Sequence, residues 1–306
     1  FMNADGVVID TQRPGDVLRA PTRPLDEEVY QALESHQCNI IDCSTSNVAL
    51  SLETMGFDTV DLSSLPALQA VLHNIRQANS ISRQDISAIR RELWGKKFRL
   101  TNGKHLRVLF IADEGIILRK SGPNGLKVNT SEITTEMNGH DAAAAVHSDQ
   151  DVRGTPVKQI LRGAAPLLFR HEAPDGFNRQ SPVFLVNMWI PLQQVTRPLA
   201  LMDNQTIDRK KHQLRYALPT DSFLKREESR RLNDIWAFLH DEKQQWYFTS
   251  DMNASTAYVF NTLCTPHGAF IAPGEDTAEA LYLKLQHALS AMNGADANAL
   301  LACTAT

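Results

Sequence analysis

From Lys97 onward the chain breaks into short apolar, β-branched and aromatic runs divided by turn residues. The runs cover 98–101, 106–112, 115–119, 183–192, 199–202, 245–249, 257–263 and 268–272. Strands this short bury one face each, so they must pair and fold over one another, which restricts this part to a sandwich or barrel. The expected class is mainly β. One interruption is expected: over 222–240, Leu232, Ile235, Trp236 and Leu239 are spaced as on a helix, with a charged opposite face.

The part before Lys97 has a different character. Residues 1–25 are rich in turn formers and read as an extended arm. A short amphipathic helix is expected over 26–36, a strand over 38–42, a helix over 47–55 stopped by Gly56, and a strand over 57–62. Pro66 opens a helix that carries Leu68, Val71, Leu72 and Ile75. Ser82 reads as the N-cap of a helix over 83–94. This gives residues 1–95 as a mixed α/β part packed on a barrel over 96–290, in one domain spanning 1–306. Near the C-terminus Leu281, Leu283 and Leu285 alternate with Tyr282, Lys284 and Gln286, a period of two that argues for a strand.

Composition excludes several classes. The 306 residues are 42% hydrophobic and carry a net charge of −4, so no global basicity points to nucleic acid or an anionic membrane. The longest apolar runs are too short to span a bilayer. The mixed, early-charged N-terminus does not read as a signal peptide, and the leading Phe1 reads as trimming. Cys38, Cys43, Cys264 and Cys303 form no CxxC pair and read as reduced thiols of a cytoplasmic protein. There is no GxGxxG, no GxxxxGK[ST], no HExxH and no GxSxG. The expected partner is a small molecule, with no nucleic acid and no membrane. The oligomeric state stays open, a homodimer included.

Chemistry concentrates in His147-Ser148-Asp149. This is where a histidine is followed two residues later by an aspartate. On a strand, residues i and i+2 point to one face, so His147 and Asp149 can present an imidazole and a carboxylate to one point. A further histidine makes the two-histidine, one-carboxylate triad of non-heme Fe(II) oxygenases. His267, before Gly268, suits the third place; His171, His212, His240 and His287 are its rivals. His36 and His240 each read also as a histidine closing a helix. Gln150, Asn187 and Asp203 are candidates to orient the ligands.

Several segments together resemble the Fe(II)/2-oxoglutarate-dependent hydroxylase and desaturase family that includes the CmcJ-type, AsaB-type and gibberellin desaturase-like proteins. They are Gly56-Phe57, His147-Ser148-Asp149-Gln150, Asn187-Met188-Trp189-Ile190-Pro191-Leu192, Arg197-Pro198-Leu199-Ala200-Leu201-Met202-Asp203, Trp246-Tyr247-Phe248 with Asp251-Met252, and Pro266-His267-Gly268-Ala269-Phe270. The resemblance implies a distorted double-stranded β-helix, a cupin-like jelly roll with flanking helices. It implies His147, Asp149 and His267 as ligands of Fe(II), with 2-oxoglutarate and O2 as co-substrates. It also implies oxidation of a natural-product intermediate, by hydroxylation or desaturation, through a ferryl species.

The chain departs from that family where the 2-oxoglutarate carboxylate is gripped. An Arg-x-Ser strand is expected after the second histidine, and here Ala280 and Tyr282 stand in those places. The family's Trp-Arg-Pro reads Trp189-Ile190-Pro191. Lys284 beside Tyr282 on a strand is the substitute anchor, with Arg162, Asn187, Arg153 and Arg170 as further candidates to bind the co-substrate. Trp189, Trp246, Tyr247 and Phe177 are candidates to line the substrate site. Three readings follow: a 2-oxoglutarate-dependent dioxygenase, an iron oxygenase or oxidase using another or no oxoacid, and a jelly-roll binding protein without catalysis.

Overall fold

The computed structural model describes residues 1, 8–10, 17–19, 33–112, 116–119, 142–143, 145–149, 182–193, 195–219 and 232–291. In chain order these residues form β1 (Val8–Asp10), β2 (Val17–Arg19), β3 (Ile40–Asp42), β4 (Phe57–Asp61), α1 (Pro66–Ala78), α2 (Arg83–Leu93), β5 (Lys97–Arg99) and β6 (His105–Arg107). There follow β7 (His147–Ser148), β8 (Val186–Trp189), β9 (Leu199–Met202), α3 (Arg209–His212), β10 (Gln213–Pro219), β11 (Leu232–Phe238), β12 (Trp246–Phe248), β13 (Thr256–Asn261), β14 (His267–Ala269) and α4 (Glu275–Ala291). The class is mainly β, as the spacing of the apolar runs requires.

Two sheets face each other. The larger runs β1-β2-β10-β11-β7-β14-β9-β12-β3 and the smaller β4-β13-β8. Strand alternation then sorts the side chains into three apolar layers. On the larger sheet Leu201 and Tyr247 point inward, while Ala200, Met202 and Trp246 point outward. On the smaller sheet Phe57, Tyr258 and Phe260 meet Leu201 and Tyr247 in the inner layer. Val60, Ala257 and Val259 of that sheet pack outward under α1 and α2, against Leu68, Leu72, Ile75, Ile86 and Ile89. The inner layer is the jelly-roll-like interior in which the functional residues lie.

The α/β part forms for local reasons. Pro66 occupies the first turn of α1, where a missing N–H costs nothing. Asn79 ends it in the left-handed conformation at φ 50°. Ser82 caps α2 through a reciprocal box with Asp85: the Asp85 amide donates to Ser82 Oγ at 3.2 Å, and the Ser82 amide donates to Asp85 Oδ2 at 2.8 Å.

Several expectations are corrected. The helix expected over 222–240 is a strand over Leu232–Phe238, paired with β10 from Gln213↔Phe238 to Pro219↔Leu232. A seven-residue antiparallel ladder outweighs helical spacing in Ile, Trp and Phe, which suit strands equally well. The strand expected over 281–286 lies inside helix α4. Its Ala, Leu, Glu, Lys and Gln content favours a helix, and Leu281 and Leu283, inward in the strand reading, are exposed. The helix expected over 47–55 is a turn in which the Met55 amide donates to Ser51 O at 2.9 Å. Gly56, at φ +94°, ends that turn rather than a helix. Residues 34–36 are not helical, and the rest of the helix expected over 26–36 lies outside the described residues. No described helix is long and apolar enough to cross a membrane.

Candidate metal centre

His147 and His267 are direct partners across the β7–β14 pair of antiparallel strands. Their ring centroids lie 4.5 Å apart. Asp149 follows β7, two residues beyond His147. One ligand atom from each of His147, Asp149 and His267 lies within 4.8 Å of the others, the one such group among the described residues. His147 Nε2 is 3.1 Å from Asp149 Oδ1, and His267 Nε2 is 3.5 Å from Asp149 Oδ2.

Both imidazoles are oriented by the backbone two residues before them. His147 Nδ1 donates to Ala145 O at 2.7 Å and His267 Nδ1 to Thr265 O at 3.0 Å. A carbonyl only accepts, so both Nδ1 atoms carry hydrogen. In the neutral ring Nε2 is then a bare lone pair, and both Nε2 atoms face the same carboxylate. Lone pairs and a carboxylate converging on one point repel unless a cation, a proton or a metal ion, sits among them. Burial works against ionisation of Asp149, but imidazoles that carry a proton on Nε2, His267 first and then His147, hold its carboxyl well below the usual range. Two imidazole nitrogens and one carboxylate on one face fit a divalent transition metal with open positions.

The smaller sheet touches this group from across the interior. Asn187 on β8 donates its side-chain N–H to Asp149 Oδ2. Phe260, the register partner of Asn187 on β13, lays its ring 4.6 Å from that of His267. The turn leading into β14 is pinned as well. Gly56 O accepts from Thr265 Oγ1 at 2.9 Å and from the Asn261 amide at 2.8 Å. A Cβ on Gly56 would lie 2.0 Å from Asn204 Nδ2 and 2.4 Å from Thr265 Oγ1, so the close approach needs glycine. Arg209 donates to Asn204 Oδ1 at 2.9 Å and to Cys264 O at 3.3 Å, while Asn204 Nδ2 meets Cys264 Sγ at 3.3 Å.

Of the residues singled out in the sequence, the structure brings together His147, Asp149, His267 and Asn187. Tyr282 and Lys284 are not a strand pair: on α4, positions i and i+2 point about 160° apart, so the two side chains diverge. Lys284 is exposed. Arg153, Arg162, Arg170, Gln150, His171 and Phe177 lie outside the described residues. Asp203 caps a turn by accepting from the Gln205 amide at 2.9 Å. His212 Nε2 lies 3.4 Å from Asp241 Oδ2, His240 stacks on His36 with centroids 4.1 Å apart, and His287 belongs to α4. Trp246 is in the outer layer, away from the interior, while Trp189 packs on Tyr258 at 5.7 Å. Sequence reasoning missed the Ala145 and Thr265 carbonyls, because backbone groups carry no residue signal. It also missed the Arg209–Asn204–Gly56 support, for which Gly56 was the one visible sign.

Comparison with known proteins adds the family. Two solved structures named as the iron and alpha-ketoglutarate-dependent endoperoxidase NvfI align with the chain. One, described as having a different conformation, shows 16% identity over 76% of this chain and 75% of that chain, at TM-score 0.46. The other shows 18% identity over 76% and 77%, at TM-score 0.44. No curated protein matches. The family described as "YDMC: Oxidoreductase/YMDC permease-like domain" matches residues 9–280, most of the sequence, and the chain belongs to that oxidoreductase family.

Proposed function

We propose that the chain is a non-heme Fe(II)- and 2-oxoglutarate-dependent dioxygenase that oxidises a small molecule. The observation that carries the reading is the convergence of His147, Asp149 and His267, one ligand atom from each within 4.8 Å of the others, with the histidines on neighbouring strands and Asp149 directly after one of them. His147 and His267 offer Nε2 because their Nδ1 hydrogens are held by Ala145 O and Thr265 O. Asp149 offers the anionic oxygen. Fe(II), with 2-oxoglutarate and O2 as co-substrates, supplies the oxidising chemistry when bound. The chain's part is to orient and to keep water out, and the inner layer of Phe57, Leu201, Tyr258 and Phe260 suits that task.

The resemblance of the six sequence segments to CmcJ-type, AsaB-type and gibberellin desaturase-like proteins supports an intermediate of specialised metabolism as substrate, hydroxylated or desaturated. Anaerobic protein with Fe(II) is expected to develop a weak visible charge-transfer band when 2-oxoglutarate is added. Turnover is expected to release succinate one for one with product. Iron-loaded protein that gives no band with 2-oxoglutarate defeats the oxoacid part of the reading.

One observation favours a second reading, an iron oxidase that needs no oxoacid. Tyr282 and Lys284, the substitute anchor in the sequence, diverge on α4. Oxygen uptake with substrate and without oxoacid supports this reading; stoichiometric succinate excludes it.

A further inference from the structure

We propose that Asn187 is the positioning residue of the metal centre, its side-chain amide holding Oδ2 of Asp149 so that the carboxylate meets the cation through one oxygen. The inference rests on the metal-centre reading above.

The three ligands are not held alike. Each imidazole is fixed by a carbonyl of its own segment, Ala145 O for His147 and Thr265 O for His267. Asp149 lies past the last residue of β7, so strand pairing does not hold it. Among the described residues, its contacts are the two histidines and the Asn187 amide. A carboxylate free to rotate can bind a cation through both oxygens and so fill an additional position. An N–H on Oδ2 opposes that rotation and leaves Oδ1, beside His147, as the donor.

Asn187 suits the role. It sits on β8, an outer strand of the smaller sheet, within the ladder to β13 with Phe260 opposite, so its own position is set by backbone pairing. Its amide is neutral and donates, whereas aspartate there would only accept and would add a second negative charge. The donor also comes from the smaller sheet, while all three ligands belong to the larger sheet or follow directly from it. Metal bound by Asp149 is therefore linked through Asn187 to the packing of one sheet on the other. Loading the centre should tighten the contact between sheets, and removing the amide should uncouple them.

The test uses the full chain, stripped of metal and titrated with Co(II) alone. Wild-type protein is expected to bind one equivalent, to show visible d–d bands and to gain thermal stability. Asn187→Leu fills the volume of the side chain and removes only the donor; Asn187→Ala is the second variant, since alanine leaves a cavity. Both are expected to bind Co(II) about 10- to 100-fold more weakly. Their d–d bands should change in intensity as the carboxylate turns, and they should lose most of the metal-induced rise in melting temperature. Metal-free melting of the leucine variant should stay near that of wild type, which separates positioning from a loss of fold. Wild-type affinity and spectrum in a folded Asn187→Leu protein overturn the proposal. A wild-type protein that binds no Co(II), or a His147→Ala protein that binds it equally well, overturns the metal-centre reading itself.

Discussion

His147–Asp149 and Tyr282–Lys284 share one sequence spacing and have opposite fates. In the first pair His147 lies on a strand paired to β11 on one side and β14 on the other, Asp149 follows directly after that strand, and the two side chains converge. In the second pair the backbone is a helix, and the same spacing throws the side chains apart. A spacing of two has chemical meaning only once the element is known. The paired strand gains its conformation from partners about 90 and 120 residues away in sequence, which no local pattern records. The helix follows from its own composition, and the alternation of leucines is incidental to it.

The effects of substitution fall in a definite order. The largest belongs to His147→Ala and His267→Ala, each of which should abolish stoichiometric metal binding, read as metal content after dialysis against a weak chelator. Retention of metal by either variant would break the contrast at its strong end. Next is Gly56→Ala, which forces a Cβ into Asn204 and Thr265 at a positive φ. It should cost about 2 kcal/mol or more in denaturant unfolding. It should also weaken metal binding, because it displaces the turn that carries His267.

A smaller effect tests the attachment of β3, the edge strand paired to β12. Burial works against ionisation of Asp42, yet hydrogen bonds from Ser250 and Ser44 bring its carboxyl down to about 2. A carboxyl with a lowered folded-state pKa stabilises the fold above its ordinary value of 3.8, and the contribution disappears as pH falls toward about 2. The melting temperature should therefore drop across that window, and Asp42→Asn should flatten the drop. The smallest effects belong to the helix. Lys284→Ala and Tyr282→Phe should each change the apparent affinity for an oxoacid by less than about twofold, since two side chains that diverge on α4 do not grip one carboxylate together. A tenfold loss in Lys284→Ala would return the anchor to this segment.

Legibility followed locality. Ser82 and Asp85 announce the start of α2, and Pro66 that of α1, because caps depend on residues within one turn. Strands β4 and β9 were readable from their apolar runs. Residues 232–238 were not, because Trp236 and Ile235 satisfy a helical stripe as well as a strand, and only the ladder with β10 decides. Within the site, the three candidate ligands were legible as residue types. The bond from Asn187 to Asp149 joins residues on separate sheets, and the carbonyls that hold the imidazoles have no side-chain identity at all.

The sequence by itself offered the donor types: a histidine and an aspartate two residues apart, with His267 one of several histidines for the third place and singled out by the family resemblance. It also determined the mainly β class, because short apolar runs between turns can bury themselves in no other way. Tertiary structure alone decided that His147 and His267 face each other, that Asn187 reaches Asp149 from the smaller sheet, and that residues 281–286 leave the barrel as a helix. The reason is physical. Helix and cap preferences are set within a few residues, whereas strand register and the facing of two sheets are fixed by hydrogen bonds and apolar contacts between segments far apart in the chain.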